Sequence, residues 1–262
     1  MRHYGQVRHA AGEDIERMSS TDGIRRSRNG STAAARHARL RWVVRVIRHP
    51  SAILLLAQLA CLLLYPFIET TRPARAVLGA FGVLVLGLAI SMVQRTRGRG
   101  WISAGIAVPA VALNVLDMML GMPALRPWWA ALEALFYFYA AACLIAYMLA
   151  DRRATTDELF AAGATFTLLA WAFTYVFVLC QTLQPGCFAA AINPHAPRSW
   201  TELLFLSFAL MSSTGIGDVI PVTVHARALA SLEMFVGVMY IALVVSRLIG
   251  LSLLRREDRP MS

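Results

Sequence analysis

The chain has 262 residues, 58% of them hydrophobic, and a mean hydropathy of +0.57. That composition excludes an ordinary soluble domain, whose apolar share is lower and charged share higher. The formal net charge of +10 comes from 25 arginines and no lysine set against 15 acidic residues. No folded nucleic-acid reader accompanies the basic runs, so no nucleic-acid partner is expected.

Taken in chain order, residues 1–49 form an Arg-rich N-terminal segment, polar and without apolar period over Met1–Asn29, which predicts disorder there. Over residues 33–48 arginine alternates with apolar side chains. Two readings stay open: a basic helix lying on anionic lipid headgroups, or a plain topology signal ahead of the first span. Six apolar segments follow, at Ser51–Phe67, Ala74–Val93, Trp101–Leu120, Trp128–Ala150, Leu159–Gln181 and Val222–Leu251. Each is long enough to be read as a membrane-crossing helix, so an all-α, multi-pass membrane protein is expected in the lipid bilayer.

Arginine placement orients these spans. Eleven arginines precede the first span, three lie between the second and third, two between the fourth and fifth, and three follow the last, nineteen on one side. The other side holds five: Arg72, Arg75, Arg126, Arg198 and Arg227. The positive-inside rule then places both termini in the cytoplasm. The fourth span contains no arginine, so it carries no gating charge through the membrane field.

Between the last two spans lies Ser199–Pro221, S-W-T-E-L-L-F-L-S-F-A-L-M-S-S-T-G-I-G-D-V-I-P. Its apolar run of some fourteen residues would rise only about 21 Å as a helix, too short for a hydrocarbon core of about 30 Å. Ser199-Trp200-Thr201-Glu202 has the spacing of a capping box, in which hydroxyl and carboxylate satisfy each other's amides. A helix begun there ends near Ser212 and turns the negative end of its dipole inward. The glycine-rich continuation needs water or protein around its carbonyls, which describes a re-entrant loop.

Ser213-Thr214-Gly215-Ile216-Gly217-Asp218 resembles the selectivity filter of potassium channels, usually T-V-G-Y-G-D. Pro221-Val222-Thr223 and Arg227 also match positions common in that superfamily, and Gly237 stands where its inner helices often bend. The resemblance covers roughly Thr155–Leu251 and is nearest to bacterial channels with four extra helices before the pore. It implies a four-helix domain over residues 50–150, a pore domain over 151–254, and a short cytoplasmic tail over 255–262. It further implies a homotetramer in a bacterial inner membrane that passes potassium as its permeant ligand, with no cofactor and no enzymatic activity.

By that resemblance, backbone carbonyls of Ser213, Thr214, Gly215, Ile216 and Gly217 would replace an ion's water shell, with Asp218 at the pore mouth. Gly215 and Gly217 are expected to take positive φ so that successive carbonyls face one way. Phe205 and Leu206 would support the filter from behind. Arg227 would pair with Asp218 or Glu202, and Gly237 would serve as the gating hinge, with Val244 near a lower gate. Ile216 in place of the usual tyrosine leaves a weakly selective cation channel as the alternative, together with a non-conducting modulatory subunit.

Glu233 lies on the last span, where an ionisable side chain is expensive unless it is paired. It either bonds the back of the filter through Ser207 or Thr214 and tunes conduction with pH, or simply packs the short helix. Asp117 and Glu133 are expected to join an ion-pair cluster with Arg72, Arg75 and Arg126. Cys180 and Cys187, seven apart near the outer surface, permit a disulfide in an oxidising compartment, and bridge and free thiols both stay open. A transporter would show two corresponding interrupted segments, and only one is present. The gating stimulus is not written in the chain.

Overall fold

The protein divides into two units, Met1–His49 and Pro50–Ser262. A computed structural model describes residues 50–68, 100–150, 156–194 and 196–257, all within the second unit. The N-terminal segment with its basic run at 33–48, the second expected span at 74–93, and Arg72, Arg75, Arg152 and Arg153 lie outside the described residues.

Helix α1 runs Pro50–Ile68, with proline at the first turn where its missing amide costs nothing. Helix α2, Gly100–Leu120, ends at Gly121, whose φ of 61° lets its amide cap the Asp117 carbonyl at 2.8 Å. A 3-10 turn at Pro123–Leu125 leads into α3, Arg126–Ala150. The Asp117 carboxylate holds this hairpin shut, meeting Arg126 Nε at 3.5 Å and accepting from Trp129 Nε1 at 3.4 Å. Then follow α4 (Thr156–Leu183), β1 (Phe188–Ala190), α5 (Trp200–Met211), β2 (Val219–Pro221) and α6 (Val224–Glu257).

Among the described residues, three helices are long and apolar enough to cross a membrane: Arg126–Leu149, Asp157–Leu183 and Val224–Arg247. The remaining apolar helical stretches, Ser51–Leu64, Gly105–Asp117 and Trp200–Met211, are shorter. The expectation of purely helical structure needs one correction. β1 and β2 pair antiparallel, Phe188 opposite Pro221 and Ala190 opposite Val219. Runs of three residues flanked by loops are too short to leave a period-2 signal.

Helix α4 is the centre of this unit, packing against α1, α3, α5 and α6. Two thirds of its apolar window (67%) is buried, against 22% for α6. Its sequence explains the difference, because Ala161, Ala162, Gly163, Ala164, Ala170 and Ala172 are small and let neighbouring helices approach. A Cβ at Gly163 would sit 3.0 Å from a Leu55 methyl of α1. Thr165 and Thr174 return their hydroxyls to the carbonyls of Ala161 and Ala170, each at 2.7 Å, so neither polar group is stranded.

Aromatic rings fill the rest. Tyr137 of α3 stacks on Tyr175 of α4 at 5.6 Å, and Trp171 of α4 meets Trp200 of α5 edge-on at 6.0 Å. At the N-terminal end of α4, Ser51 donates to Asp157 (2.9 Å) and Arg247 of α6 reaches Glu158 (3.8 Å). At the opposite end, a second apolar cluster gathers Phe177, Cys187, Phe188, Leu203, Leu206 and Val219.

Candidate functional site

The site is the exposed loop Ser212–Asp218, held between α5 and β2. Its first anchor is the start of α5. The Glu202 amide donates to Ser199 Oγ at 3.3 Å and the Ser199 amide to Glu202 Oε2 at 2.6 Å, the reciprocal pair read from the sequence. Such a cap contributes about 1 kcal/mol. Ahead of it, the buried Arg198 fixes the approach to α5. Its guanidinium donates to the carbonyls of Ile192, Asn193 and Ala196 and meets Glu202 at 3.4 Å. Gln181 of α4 clasps the Arg198 backbone, accepting from its amide at 2.8 Å and donating to its carbonyl at 3.0 Å.

At its other end α5 leaves carbonyls without helical partners, and the loop supplies amides to them. Ser213 donates to Leu210 at 3.1 Å, while Thr214 and Gly215 both donate to Ala209, at 3.1 and 3.3 Å. Ser213 has φ 57° and Gly215 φ 66°, whereas Thr214 between them does not take positive φ. The sign of φ therefore alternates along this stretch, which turns successive peptide planes the same way. Left-handed φ at Ser213, a residue with a Cβ, costs about 1–2 kcal/mol, which the amide bonds offset. Among the described residues, no hydrogen bond is accepted by the carbonyls of residues 213–217. A row of amides is spent on the helix end, and a row of oxygens is left.

β2 secures the exit. Val219 is buried under Leu203 and Leu206, the Val222 amide donates to the Cys187 carbonyl at 2.9 Å, and Thr223 Oγ1 donates to Gln184 at 2.9 Å. Backbone oxygens ordered on a loop between membrane-compatible helices are a device for replacing an ion's hydration shell. Residues 134–251 match the family model described as Ion channel, a pore domain of the two-span potassium-channel type. The chain carries a pore domain of the potassium-channel superfamily. That family is one of ion channels, not enzymes, and calls for no cofactor. No curated protein and no solved structure matches the chain.

The pore domain redistributes several expected site residues. Gly217 does not take positive φ; Ser213 does so instead, together with Gly215. Ile216 is 70% exposed and Asp218 is exposed, with no ion pair to Asp218 among the described residues. Arg227 pairs with neither Asp218 nor Glu202; its Nε donates to the Pro221 carbonyl at 3.2 Å, because Arg198 lies one turn from Glu202 and takes that carboxylate. Phe205 is half exposed, its ring 3.9 Å from where a Gly217 Cβ would be. Leu206 is buried in the cluster that includes Val219, the residue that follows the loop. Glu133 is buried and makes no ion pair among the described residues, whereas Asp117 does pair with Arg126 as expected.

Gly237 admits a neighbouring backbone. Helix α6 is continuous through it, and a Cβ there would lie 2.8 Å from Met211 Cα and closer still to the Met211 carbonyl oxygen. The C-terminal end of α5 is seated directly on α6, and only glycine admits it. Glu233, four residues earlier and fully buried, bonds the pore domain's α5 through Ser207, whose hydroxyl also donates to the Ala170 carbonyl of α4 at 2.7 Å. Three helices thus meet at one hydroxyl. One hydroxyl proton cannot serve both acceptors at once, so a proton on the Glu233 carboxyl would complete the chain. Arg198, Gln181 and Gln184 were not singled out by sequence; only the Arg198–Glu202 spacing of four, typical of a helical ion pair, could have flagged the first.

Two substitutions separate packing from other roles. Gly237→Ala places a methyl against backbone that cannot yield, and should destabilise the protein by about 1–3 kcal/mol; thermal unfolding in detergent should show the drop even where no current is measured. Glu233→Gln retains a donor for Ser207 and should unfold near the parent temperature. Glu233→Ala leaves Ser207 its Ala170 acceptor but removes the group that meets its oxygen in a buried site, and should cost about 1–3 kcal/mol; equal midpoints for the two variants would show that the bond contributes nothing.

Proposed function

We propose that four copies of the chain form a potassium-selective channel, with ions passing between the carbonyls of Ser213, Thr214, Gly215, Ile216 and Gly217. The observation that carries this reading is the loop's division of labour, amides committed to α5 and carbonyls that accept nothing among the described residues. One copy cannot surround an ion, so a ring of identical segments about an axis is required. Helix α6 supports an assembly of copies, because only 22% of its apolar window is buried and Phe235, Val238 and Met239 are exposed. Such a surface needs lipid or other copies of the chain against it. Ile216, exposed in one chain, would pack on a neighbouring copy as an apolar cuff.

In this reading the loop re-enters the membrane from the outer side, six spans cross it, and both termini are cytoplasmic in a bacterial inner membrane. The arginine asymmetry supports that orientation. In the same topology residues 255–262 would be a cytoplasmic tail. Asp218, four times repeated at the mouth, would concentrate cations there. Movement of α6 relative to α4 would gate the pore, and a bend at Gly237 would require Met211 to move with it.

Reversal potentials of the full chain in liposomes, under opposed potassium and sodium gradients, test selectivity. Potassium selectivity places the reversal near the potassium equilibrium potential. A value near zero supports instead a weakly selective cation pore, which the replacement of tyrosine by Ile216 favours as second reading. Absence of flux from the purified chain supports a subunit that needs a partner. Asp218→Asn should lower single-channel conductance several-fold at low ionic strength. The difference should vanish near 1 M salt, where the Debye length is about 3 Å; a deficit independent of salt would assign Asp218 a structural role.

A further inference from the structure

Two buried cysteines lie beside the strand that holds the loop's exit. Cys180 belongs to the last turn of α4 and Cys187 immediately precedes β1. The segment between them folds back on itself: the Gln184 amide donates to the Cys180 carbonyl at 2.8 Å and the Cys187 amide to the Gln184 carbonyl at 3.2 Å. Gly186 makes the reversal possible with φ 78°. Both side chains enter the same cluster with Phe177, Phe188 and Val219, close enough for the Cys180 thiol to act on that of Cys187. Both are free thiols in the structure.

We propose that Cys180 and Cys187 are a disulfide site, whose bridge closes the turn that carries β1 and so fixes the strand leaving the ion-conducting loop. The inference rests on the outward placement of this turn in the proposed topology. Its consequence for the site is direct. The Cys187 carbonyl accepts the Val222 amide at 2.9 Å, the Gln184 side chain accepts from Thr223, and β1 pairs with β2 residue by residue. A crosslink at the base of the turn stiffens every one of these contacts at once.

The chemistry is exchange with a protein or small-molecule disulfide present outside the membrane. One cysteine thiolate attacks that disulfide, forming a mixed disulfide and releasing one thiol. The second cysteine attacks the mixed disulfide, forming the Cys180–Cys187 bond and releasing the other. The cysteines lose two electrons and two protons, and the oxidant becomes two thiols. Burial, with Cys180 alongside, pushes the Cys187 thiol up to about 12. At neutral pH only about one in 100,000 such thiols is the reactive thiolate. Both cysteines are buried, so the bridge, once closed, is shielded from reductants in solution. It is a structural clip rather than a reversible sensor.

Alkylation of the full chain from membranes, under denaturing conditions without reductant, tests this. The expected result is two adducts per chain, on Cys61 and Cys143, rising to four after dithiothreitol. The peptide 154–198, bounded by Arg153 and Arg198, should be lighter by two hydrogens before reduction. Separately, an Ala196→Cys variant treated in intact spheroplasts with a membrane-impermeant maleimide reports on which side the turn lies. Four adducts without reductant, with Ala196→Cys labelled from outside, overturn the bridge alone. Four adducts with Ala196→Cys protected overturn the bridge and the topology together.

Discussion

The C-terminal carbonyls of α5 and the amides that answer them decide the rest of this structure. A helix end leaves acceptors that must be met, and here they are met by Ser213, Thr214 and Gly215 rather than by a glycine cap. Meeting them in succession requires φ to alternate in sign, and that fixes which way the carbonyls face. The oxygen row is thus a by-product of terminating a helix. Its stability follows from that: among the described residues the carbonyls of Ser213 and Thr214 accept nothing, and they are held in place because the amides of the same peptides, those of Thr214 and Gly215, are bound.

A loop so arranged works only if neither of its ends shifts, and the surrounding contacts divide that task. The Ser199–Glu202 box and the buried Arg198 set where α5 begins, and Gln181 transfers that position to α4. The antiparallel pairing of β1 with β2 sets where the loop leaves. Both anchors converge on the C-terminal end of α4, the most buried of the three helices long enough to cross a membrane. Rigidity in α4 and exposure in α6 are therefore complementary. One helix supplies the fixed frame within the chain, and the other keeps its apolar surface for contacts beyond it.

How much of this was legible in sequence follows from how far apart the interacting groups lie. The capping box was readable because its partners are three residues apart, and α1, α3, α4 and α6 because apolar length alone marks them. The Arg198–Glu202 pair was within reach for the same reason. The β1–β2 ribbon was not, since each strand has three residues and its partner is some thirty residues away. Leu206 and Phe205 point about 100° apart on α5, Leu206 into the buried cluster with Val219 and Phe205 toward Gly217, a division that adjacency in sequence does not assign. Gly237 was assigned to bending from its place in the resemblance, and its close contact with Met211 was not foreseen. Such a contact, a backbone from another helix pressed against it, leaves no local trace in the sequence.

The tertiary contacts of α6 share a periodicity of their own. Glu233 meets Ser207, Gly237 meets Met211, Tyr240 donates to the Ala162 carbonyl at 2.6 Å, and Arg247 meets Glu158. Positions 233, 237, 240 and 247 recur at helical spacing and form one face. The first two grip α5 and the last two grip α4, so one rigid helix joins the support of the loop to the far end of the frame. Rotation of α6 about its own axis would withdraw all four residues together. Pivoting about the Gly237–Met211 contact would break the Arg247–Glu158 and Tyr240–Ala162 contacts and spare those beneath the loop. Because backbone touches backbone at Gly237, any displacement of α6 at that level would carry Met211, and with it the start of the loop.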